Sequence, residues 1–319
     1  MASPEPGAPR PKVVWTDVTG VVLVDKPLEL SSNGALQGVR RLYRARKAGH
    51  AGTLDPLATG LLVVCFGEAT KFSGYLLESH KRYVGAIQLG ARTATGDVEG
   101  EVVETAPVPD SLVDLAPAER AFTGTIRQTP PIYSALKVQG QPLYKLARKG
   151  QDVEIAEREV VIHRLLLVWE APDRIAFEVE CGSGTYIRTL GEDIARFLGS
   201  AGHLVRLRRT GSGPFDIADA STPDQLGGMD DEARAARLLP PGCLPYRLPV
   251  LNLPEEPARD LGFGRTAEIN ARVSAGRYRV FGPGEHFLGV GESDGTGHLR
   301  PVRLMSGGDA VGAERDGEA

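Results

Sequence analysis

Cysteine is scarce in this 319-residue chain, which contains three of them, Cys65, Cys181 and Cys243. They lie far apart and form no Cys-x-x-Cys pair, so the ligand spacing of a zinc knuckle or ribbon is missing. A sparse and odd count also argues against the disulfide framework of a small secreted protein. We therefore expect no metal centre, and the sequence offers no motif for a redox or nucleotide cofactor.

Long apolar runs are missing as well. None approaches the roughly 18 residues that mark a membrane-spanning helix, so no transmembrane helix is expected. Residues 1–12 contain four prolines and lack the apolar core of a signal peptide. We interpret residues 1–19 as a disordered tail and predict a cytoplasmic protein.

The sequence also has no surplus of basic residues, since 37 Lys and Arg face 41 Asp and Glu for a net charge of −4. Taken alone, this balance argues weakly against a nucleic-acid partner. A hydrophobic content of 41% and a charged content of 24% are those of a chain with a packed core. The length suggests about two domains.

Apolar runs and alternating patterns predict many strands and few helices. Strands are expected at residues 21–24, 61–66, 82–89, 100–105, 160–169, 174–181, 277–281, 286–291 and 299–304. Helices are expected after the N-cap candidates Ser31, Ser32 and Asn33, and at residues 111–121, 141–149 and 185–198. Because strands and helices do not alternate regularly, the pattern favours an α+β fold over a doubly wound sheet.

A Pro-Pro-Gly sequence at residues 240–242 marks a plausible domain boundary. We assign residues 20–242 to a main domain and residues 243–305 to a small β domain. Residues 306–319 are acidic and rich in glycine, so we interpret them as a flexible tail.

The segment at residues 49–60 is the most informative part of the chain. It reads Gly-His-Ala-Gly-Thr-Leu-Asp-Pro-Leu-Ala-Thr-Gly and, with three glycines and a proline, is expected to be a loop. Asp55 precedes the proline, which favours an extended backbone there. Such a loop can present a carboxylate rigidly, although a lone Asp-Pro pair more often caps a turn.

This loop resembles the signature of the TruB family of tRNA pseudouridine synthases. Five further segments resemble that family in the same order, Val24-Asp25-Lys26-Pro27, Gly67-Glu68-Ala69-Thr70-Lys71, Lys81-Arg82-Tyr83, Pro131-Ile132-Tyr133-Ser134-Ala135-Leu136-Lys137 and Gly184-Thr185-Tyr186-Ile187-Arg188-Thr189. The likeness is dense over residues 20–214 and thin beyond them.

The resemblance implies a largely antiparallel mixed sheet with flanking helices, a central RNA-binding cleft and a small C-terminal β domain resembling the PUA type. It implies that the chain isomerises a uridine of the tRNA T-loop, at tRNA position 55, to pseudouridine without a cofactor. In this interpretation Asp55 is the nucleophile, which suits a carboxylate. Arg188 pairs with it, and Tyr83 stacks on the target base and moves a proton at the sugar.

The resemblance also implies the residues that bind the flipped-out nucleotide. His50 organises the flipped nucleotides, while Tyr186 and Leu207 line the uracil pocket. Lys26 and Pro27 support the catalytic loop. Each of these residues also has an ordinary structural interpretation, as an exposed histidine, a core aromatic or an apolar core residue.

The chain departs from the family pattern at three positions. Glu29 stands where the family often has glycine, Ser31 where it has threonine, and Ala51 where many bacterial members have threonine. Catalysis is not expected to change, and the Leu-Ala-Thr-Gly sequence at residues 57–60 is of the bacterial form. That form favours a stand-alone enzyme with tRNA as its partner and no obligate protein partner.

Three basic stretches, at residues 40–47, 137–149 and 206–209, supply a candidate RNA-binding surface on the face that holds Asp55. Three alternatives remain: a guide-RNA-dependent synthase, a tRNA-binding folding factor with secondary catalysis, and a glycosidase. The glycosidase requires a second carboxylate about 5–10 Å from Asp55. The C-terminal β domain is either an RNA-binding module or a structural cap.

Overall fold

The computed structural model describes residues 14–110, 113–132, 137–138, 141–142, 155–270 and 272–306. Residues 143–149 of the predicted basic helix at 141–149, most of both predicted tails and residues 133–136 of the motif at 131–137 lie outside the described residues. The first two residues of that predicted helix, Gln141–Pro142, form a short strand instead. Within the described ranges, the helices are α1 (Ser32–Leu42), α2 (Gly74–Leu77), α3 (Ala116–Ala121), α4 (Ile187–Phe197), α5 (Pro223–Gly228), α6 (Asp231–Ala235) and α7 (Glu255–Gly262).

The strands of the first two thirds of the described chain are β1 (Gly20–Lys26), β2 (Ala48–His50), β3 (Ala58–Phe66), β4 (Lys81–Leu89), β5 (Ala91–Thr93), β6 (Val102–Thr105), β7 (Gly124–Gln128), β8 (Lys137–Val138), β9 (Gln141–Pro142), β10 (Arg158–Ala171), β11 (Arg174–Cys181), β12 (Gly202–Ser212) and β13 (Phe215–Asp216). The remaining ones are β14 (Val250–Asn252), β15 (Ala267–Glu268), β16 (Gly276–Phe281), β17 (Phe287–Ser293) and β18 (His298–Leu304).

A nine-stranded mixed sheet forms the centre of the molecule. Its order is β1-β3-β12-β4-β11-β10-β7, with β2 added to β3 and β13 added to β12. All of these pairs are antiparallel except β3 with β12, which run parallel. The predicted α+β class and the largely antiparallel sheet are therefore confirmed.

Both faces of the sheet are covered at its β1–β3 end. Alternate residues of these strands enter different apolar clusters, because neighbouring side chains of a strand point to opposite faces. Val22, Val24 and Leu62 pack in the cluster that also holds apolar residues of α1 and α4. Val21, Leu23 and Leu61 pack in a second cluster on the other face.

A smaller five-stranded sheet closes that second cluster. Its order is β14-β16-β17-β18-β15. Phe287 of β17 lies edge to face with Phe72 of the main domain, with ring centroids 5.1 Å apart. The Lys71 ammonium donates to the carbonyl of Leu304, at the end of β18, over 3.3 Å. The C-terminal sheet is thus docked directly on the back of the central sheet.

Two predicted boundaries are wrong. The segment at residues 49–60 is not a loop throughout, because its ends belong to β2 and β3 and leave only residues 51–57 between strands. Of the helix predicted at 111–121, the structure describes residues 113–121, and among these Ala116–Ala121 are helical. Gly60 lies inside β3, where it has φ of +103° and a Cβ would sit 2.3 Å from the carbonyl oxygen of Arg209, so glycine is required for β3 to pair with β12 here.

No helix in the described part of the chain combines the length and the apolar character needed to cross a membrane.

Candidate active site

The loop that carries Asp55 is fixed on both sides of that residue. On one side, the buried hydroxyl of Ser32 exchanges hydrogen bonds with the backbone of Leu54, accepting from its N–H and donating to its C=O, each over 2.8 Å. On the other side, the ammonium of Lys26 donates to the carbonyl of Pro56 over 3.4 Å. Asp55 is therefore held between two anchored neighbours.

Lys26 is completely buried, yet its ammonium has carbonyl partners. Besides Pro56, it donates to the carbonyls of Pro27 and Leu30 over 3.0 and 2.6 Å. Burial lowers the pKa of Lys26, and the negative charge of Asp55 opposes that shift. The side chain joins the turn after β1 to the catalytic loop. Pro27 belongs to this turn, and its carbonyl takes part in the link.

A second buried cation holds the start of the loop. Arg209 on β12 is 1% exposed and donates to the carbonyls of Leu61, Thr53 and Gly52 over 2.7, 3.4 and 3.1 Å. The prediction that residues 206–209 form a basic binding surface is therefore wrong for Arg209. Its neighbour Arg208 points to the opposite face, where it forms a two-pronged ion pair with Asp25 over 2.9 and 2.7 Å.

Arg188 reaches Asp55 from the first turn of α4. Its Nε lies 3.1 Å from Oδ2 of Asp55, as the proposed pairing requires. The arginine side chain is 7% exposed, whereas that of Asp55 is 41% exposed. Asp55 therefore keeps an open side toward a ligand while its partner is enclosed.

The same guanidinium contacts a second carboxylate, that of Asp97. Arg188 NH1 lies 3.6 Å from Oδ2 of Asp97 and donates to the carbonyl of Thr95 over 2.8 Å. Asp97 is buried, and its Oδ1 accepts from the hydroxyl of Thr95 and the N–H of Glu99 over 2.5 and 3.0 Å. The geometry makes Arg188 a bridge between one enclosed and one accessible carboxylate.

The surroundings of Asp55 shift its pKa in opposing directions. Burial raises the pKa of Asp55, and the nearby charge of Asp97 raises it further, while Arg188 and Lys26 lower it. The result is a carboxyl group with a raised pKa. A partly exposed carboxylate with a raised pKa beside a fixed cation is an arrangement that is common at functional sites and suits a nucleophile.

Tyr83 lies on β4 opposite Arg209 of β12. Burial raises the pKa of Tyr83, and the guanidinium of Arg209 counteracts this only in part. The hydroxyl is therefore protonated at neutral pH and can donate a hydrogen bond. Leu207, two residues before Arg209, is on the same face of β12 and is 6% exposed.

His50 ends β2, immediately before the loop. Its Nδ1 is buried without a hydrogen-bond partner among the described residues. Burial and the charge of Arg209 lower the pKa of His50. The imidazole is thus neutral at neutral pH, with one nitrogen able to donate and the other able to accept.

Tyr186 forms the N-cap of α4, next to Arg188 in space and sequence. The buried amide of Gln128 accepts from its N–H over 3.1 Å and donates to its C=O over 3.3 Å. The guanidinium of Arg158 lies 4.6 Å from the centroid of the tyrosine ring. These contacts fix the first turn of α4, and with it the direction of Arg188.

The sequence did not identify three residues, Asp97, Ser32 and Gln128, as part of this site. It also did not indicate that Arg209 is buried and holds the catalytic loop. The sequence carries little signal for Asp97, because it follows a turn in which the N–H of Gly96 donates to the carbonyl of Thr93 over 3.2 Å, so no strand alternation extends to it. Within the described residues, no three His, Cys, Asp or Glu side chains are grouped as a metal site requires.

Comparison with known proteins gives a consistent result along the whole described fold. Residues 40–187 match the family described as TruB family pseudouridylate synthase (N terminal domain). Residues 188–241 match the tRNA pseudouridylate synthase B C-terminal domain, and residues 249–305 match the C-terminal domain of pseudouridine synthase II TruB.

Relatives with high identity carry one name. A tRNA pseudouridine synthase B of Aromatoleum aromaticum is 48% identical over 289 residues, covering 91% of this chain and 93% of that protein. One from Burkholderia mallei is 46% identical over 304 residues, covering 93% and 97%. Among solved structures, a chain of an H/ACA RNP bound to a substrate RNA containing 2′-deoxyuridine superposes with a TM-score of 0.67. At 20% identity over 91% of this chain and 86% of that one, it shows the fold alone.

The fold and these matches define an RNA-modifying isomerase, a pseudouridine synthase. The chain belongs to the TruB family.

Proposed function

We propose that this chain converts a uridine in the T-loop of tRNA, at position 55, to pseudouridine, acting alone and with Asp55 as the nucleophile. The observation that carries the proposal is the contact between Asp55 and Arg188 in a loop anchored at residues on either side of the aspartate. Close relatives named tRNA pseudouridine synthase B support tRNA as the substrate.

The reaction breaks the N1–C1′ bond of the uridine and forms a C5–C1′ bond to the same base; C5 loses a proton and N1 gains one, so no atom is gained or lost overall. The ionised carboxylate of Asp55 supplies an electron pair to the flipped-out nucleotide and is released when the new bond has formed. Arg188 and Lys26 lower the pKa of Asp55 against its burial and so favour the ionised, reactive form. Attack on C1′ of the sugar and attack on the uracil ring are both compatible with this role of Asp55.

The groups around Asp55 fit a flipped base. Tyr83 offers an aromatic face for stacking and, being protonated, a hydrogen-bond donor. We assign Leu207 to an apolar wall of the uracil pocket, Tyr186 to another edge, and His50, at the start of the catalytic loop, to the flipped-out nucleotides. Because the pKa of Tyr83 is raised, we assign it primarily to stacking and hydrogen bonding, and any proton transfer through it would need the nearby Arg209.

The glycosidase alternative requires a second carboxylate that can reach the substrate. Asp97 is a carboxylate close to the site, but its side chain is 3% exposed and engaged by Arg188, Thr95 and the backbone of Glu99. A group so enclosed does not protonate a leaving group. Glu99 is a further, exposed carboxyl whose pKa is raised in part by the charge of Asp55. The matches to pseudouridine synthases therefore favour isomerisation over glycoside hydrolysis more strongly than the carboxylate geometry does.

The test uses the purified protein with a tRNA transcript or with an isolated T-stem-loop, without added guide RNA or protein. Isomerisation leaves the mass unchanged, so pseudouridine is chemically tagged before mass spectrometry. We expect one tagged position, in the T-loop, in both RNAs. Modification that appears only with added guide RNA would overturn the stand-alone assignment, and a tag elsewhere would overturn the T-loop assignment.

A further inference from the structure

Arg44, two residues after the end of α1, has φ of +51°. The N–H of Arg44 donates to Arg41 O and that of Ala45 to Arg40 O, each over 3.1 Å, which is the hydrogen-bond pattern of a helix ended by a left-handed residue. Glycine or asparagine normally fills this position. An arginine here strains the backbone by about 1–2 kcal/mol.

The ion pair of Arg44 with Asp231 does not explain why an arginine occupies this strained position. Its guanidinium lies 3.7 Å from Asp231, and the two side chains are 58% and 74% exposed. Pairs this exposed contribute about 0–1 kcal/mol. Asp231 also has a closer partner, because Arg234 NH1 lies 2.9 Å away.

The turn that presents Arg44 is rigid. Thr16 lies beside it and forms two backbone hydrogen bonds, donating to Arg44 O over 2.7 Å and accepting from Arg46 N over 2.9 Å. Arg40 donates to the carbonyls of Ala45 and Arg46 over 2.9 and 2.7 Å. Its guanidinium also stacks on Trp15, 4.5 Å from the ring centroid.

This turn carries a concentration of exposed positive charge. We call it the basic turn and define it by four exposed cations, Arg41, Arg44, Arg46 and Lys47. Within the described residues, two carboxylates reach it, Asp17 at 2.9 Å from Arg46 and Asp231. The four cations of the basic turn therefore outnumber the two carboxylates that reach it, and the backbone of the turn is rigid.

The basic turn is joined directly to the active site. Lys47 immediately precedes β2, and β2 ends at His50, the last residue before the catalytic loop. Three residues of strand span about 10 Å. A nucleic acid with its target base at Asp55 would thus bring neighbouring phosphates within reach of these cations.

We propose that the basic turn binds phosphates of the tRNA outside the flipped nucleotide, and that Arg44 is retained in a strained conformation for this contact. This rests on the proposed function, because it assumes RNA at Asp55. Guanidinium groups suit phosphate oxygens, and a backbone that is already rigid loses little freedom when its side chains bind. Strain of this kind concentrates at functional positions.

The test measures binding of an unmodified tRNA transcript in an Asp55→Asn background, so that no turnover occurs. The dissociation constant is measured across a range of KCl concentrations for the parent, for Arg44→Asn, and for the triple variant Arg41→Gln, Arg44→Asn and Lys47→Gln. We expect the triple variant to bind about tenfold more weakly and its salt slope to fall by about two. Arg196→Gln, which removes a 68% exposed arginine 2.8 Å from Asp193 near the C-terminal end of α4, is the control and should change neither.

A second readout separates an RNA contact from a structural role. Arg44→Gly relieves the strained backbone, so we expect it to bind tRNA more weakly while unfolding at the same or a higher temperature. A lower unfolding temperature with unchanged affinity would overturn the proposal, as would an unchanged salt slope in the triple variant. The binding measurements do not test the proposed function. That function is tested by the protein with Asp55 intact, and it fails if this protein forms no pseudouridine.

Discussion

Arg188 lies between two carboxylates of unequal exposure, with its Nε 3.1 Å from Asp55 and its NH1 3.6 Å from Asp97. The enclosed Asp97 shares the positive charge and fixes the direction of the guanidinium. The accessible Asp55 is then held by a cation that cannot turn away. We therefore assign Asp55 to the chemical step and Asp97 to positioning Arg188.

Arg188→Lys should remove this bridge, because a lysine ammonium cannot span both carboxylates as a planar guanidinium does. We expect kcat for pseudouridine formation to fall about a hundredfold. Disturbing a buried ion pair also costs about 3 kcal/mol of unfolding free energy. Single-turnover kinetics and urea unfolding measure the two effects.

Arg196→Lys is the control on the same helix. Arg196 pairs with Asp193 at 2.8 Å, but its side chain is 68% exposed. We expect kcat to change by less than about twofold and the free energy of unfolding by less than about 0.5 kcal/mol. Equal losses in both variants would mean that the effect of Arg188→Lys is not specific to the site.

Asp97→Asn should shift the pH dependence. Asp55 must be ionised to act, and its pKa is raised, so activity falls with decreasing pH at values above those of an ordinary aspartate. Asparagine keeps an acceptor for Thr95 but removes the charge that helps to raise the pKa of Asp55. We expect the acid limb of the single-turnover pH profile to move to lower pH. An unmoved limb, or one shifted to higher pH, would contradict this electrostatic role.

Ser32→Ala should loosen the catalytic loop. It removes both hydrogen bonds to Leu54 and leaves two buried backbone groups unsatisfied, which costs about 1–3 kcal/mol each at most. We expect lower stability and a kcat reduced about tenfold. The neighbouring Ser31→Ala removes the N-cap contact to Gly34 N, costs about 1 kcal/mol and should leave kcat unchanged. A similar kcat in the two variants would show that the Ser32 anchor does not serve catalysis.

Glu29→Gly should stabilise the protein. Glu29 has φ of +63°, so the residue that replaces the family glycine occupies a conformation that glycine adopts without strain. The greater freedom of glycine in the unfolded chain offsets part of this relief. We expect the free energy of unfolding to rise by about 0.5–1 kcal/mol and the activity to stay unchanged. Leu28→Gly, at an adjacent exposed position with ordinary φ, should destabilise. Thermal unfolding of both variants distinguishes relief of strain from a general effect of glycine.

The sequence predicted the local elements well where a pattern repeats over many residues. The strand pair β10 and β11 and the helix α4 lie within a few residues of their predicted positions. The N-cap role of Ser31 is also confirmed. These features depend on alternation and capping, which are local.

Features that depend on register between distant strands were not predictable. Arg208 and Arg209 are adjacent in a basic stretch, but one is paired on one face of β12 and the other is buried on the opposite face. Only the pairing of β12 with β3 and β4 decides which of the two arginines is buried and which pairs with Asp25 on the other face. Asp97 likewise reaches Arg188 because its segment forms a parallel bridge with Leu204 of β12, a contact between residues far apart in the chain.

The most direct test of the account compares the wild-type protein with Asp55→Asn on an isolated T-stem-loop, with pseudouridine tagging and binding measured side by side. Because burial raises the pKa of Asp55, its ionised form opposes folding at neutral pH, so the variant should be at least as stable as the wild type. The account predicts no detectable pseudouridine with a dissociation constant within about threefold of wild type. Pseudouridine formed by Asp55→Asn at a rate near that of the wild type would contradict the assignment of Asp55 as the nucleophile.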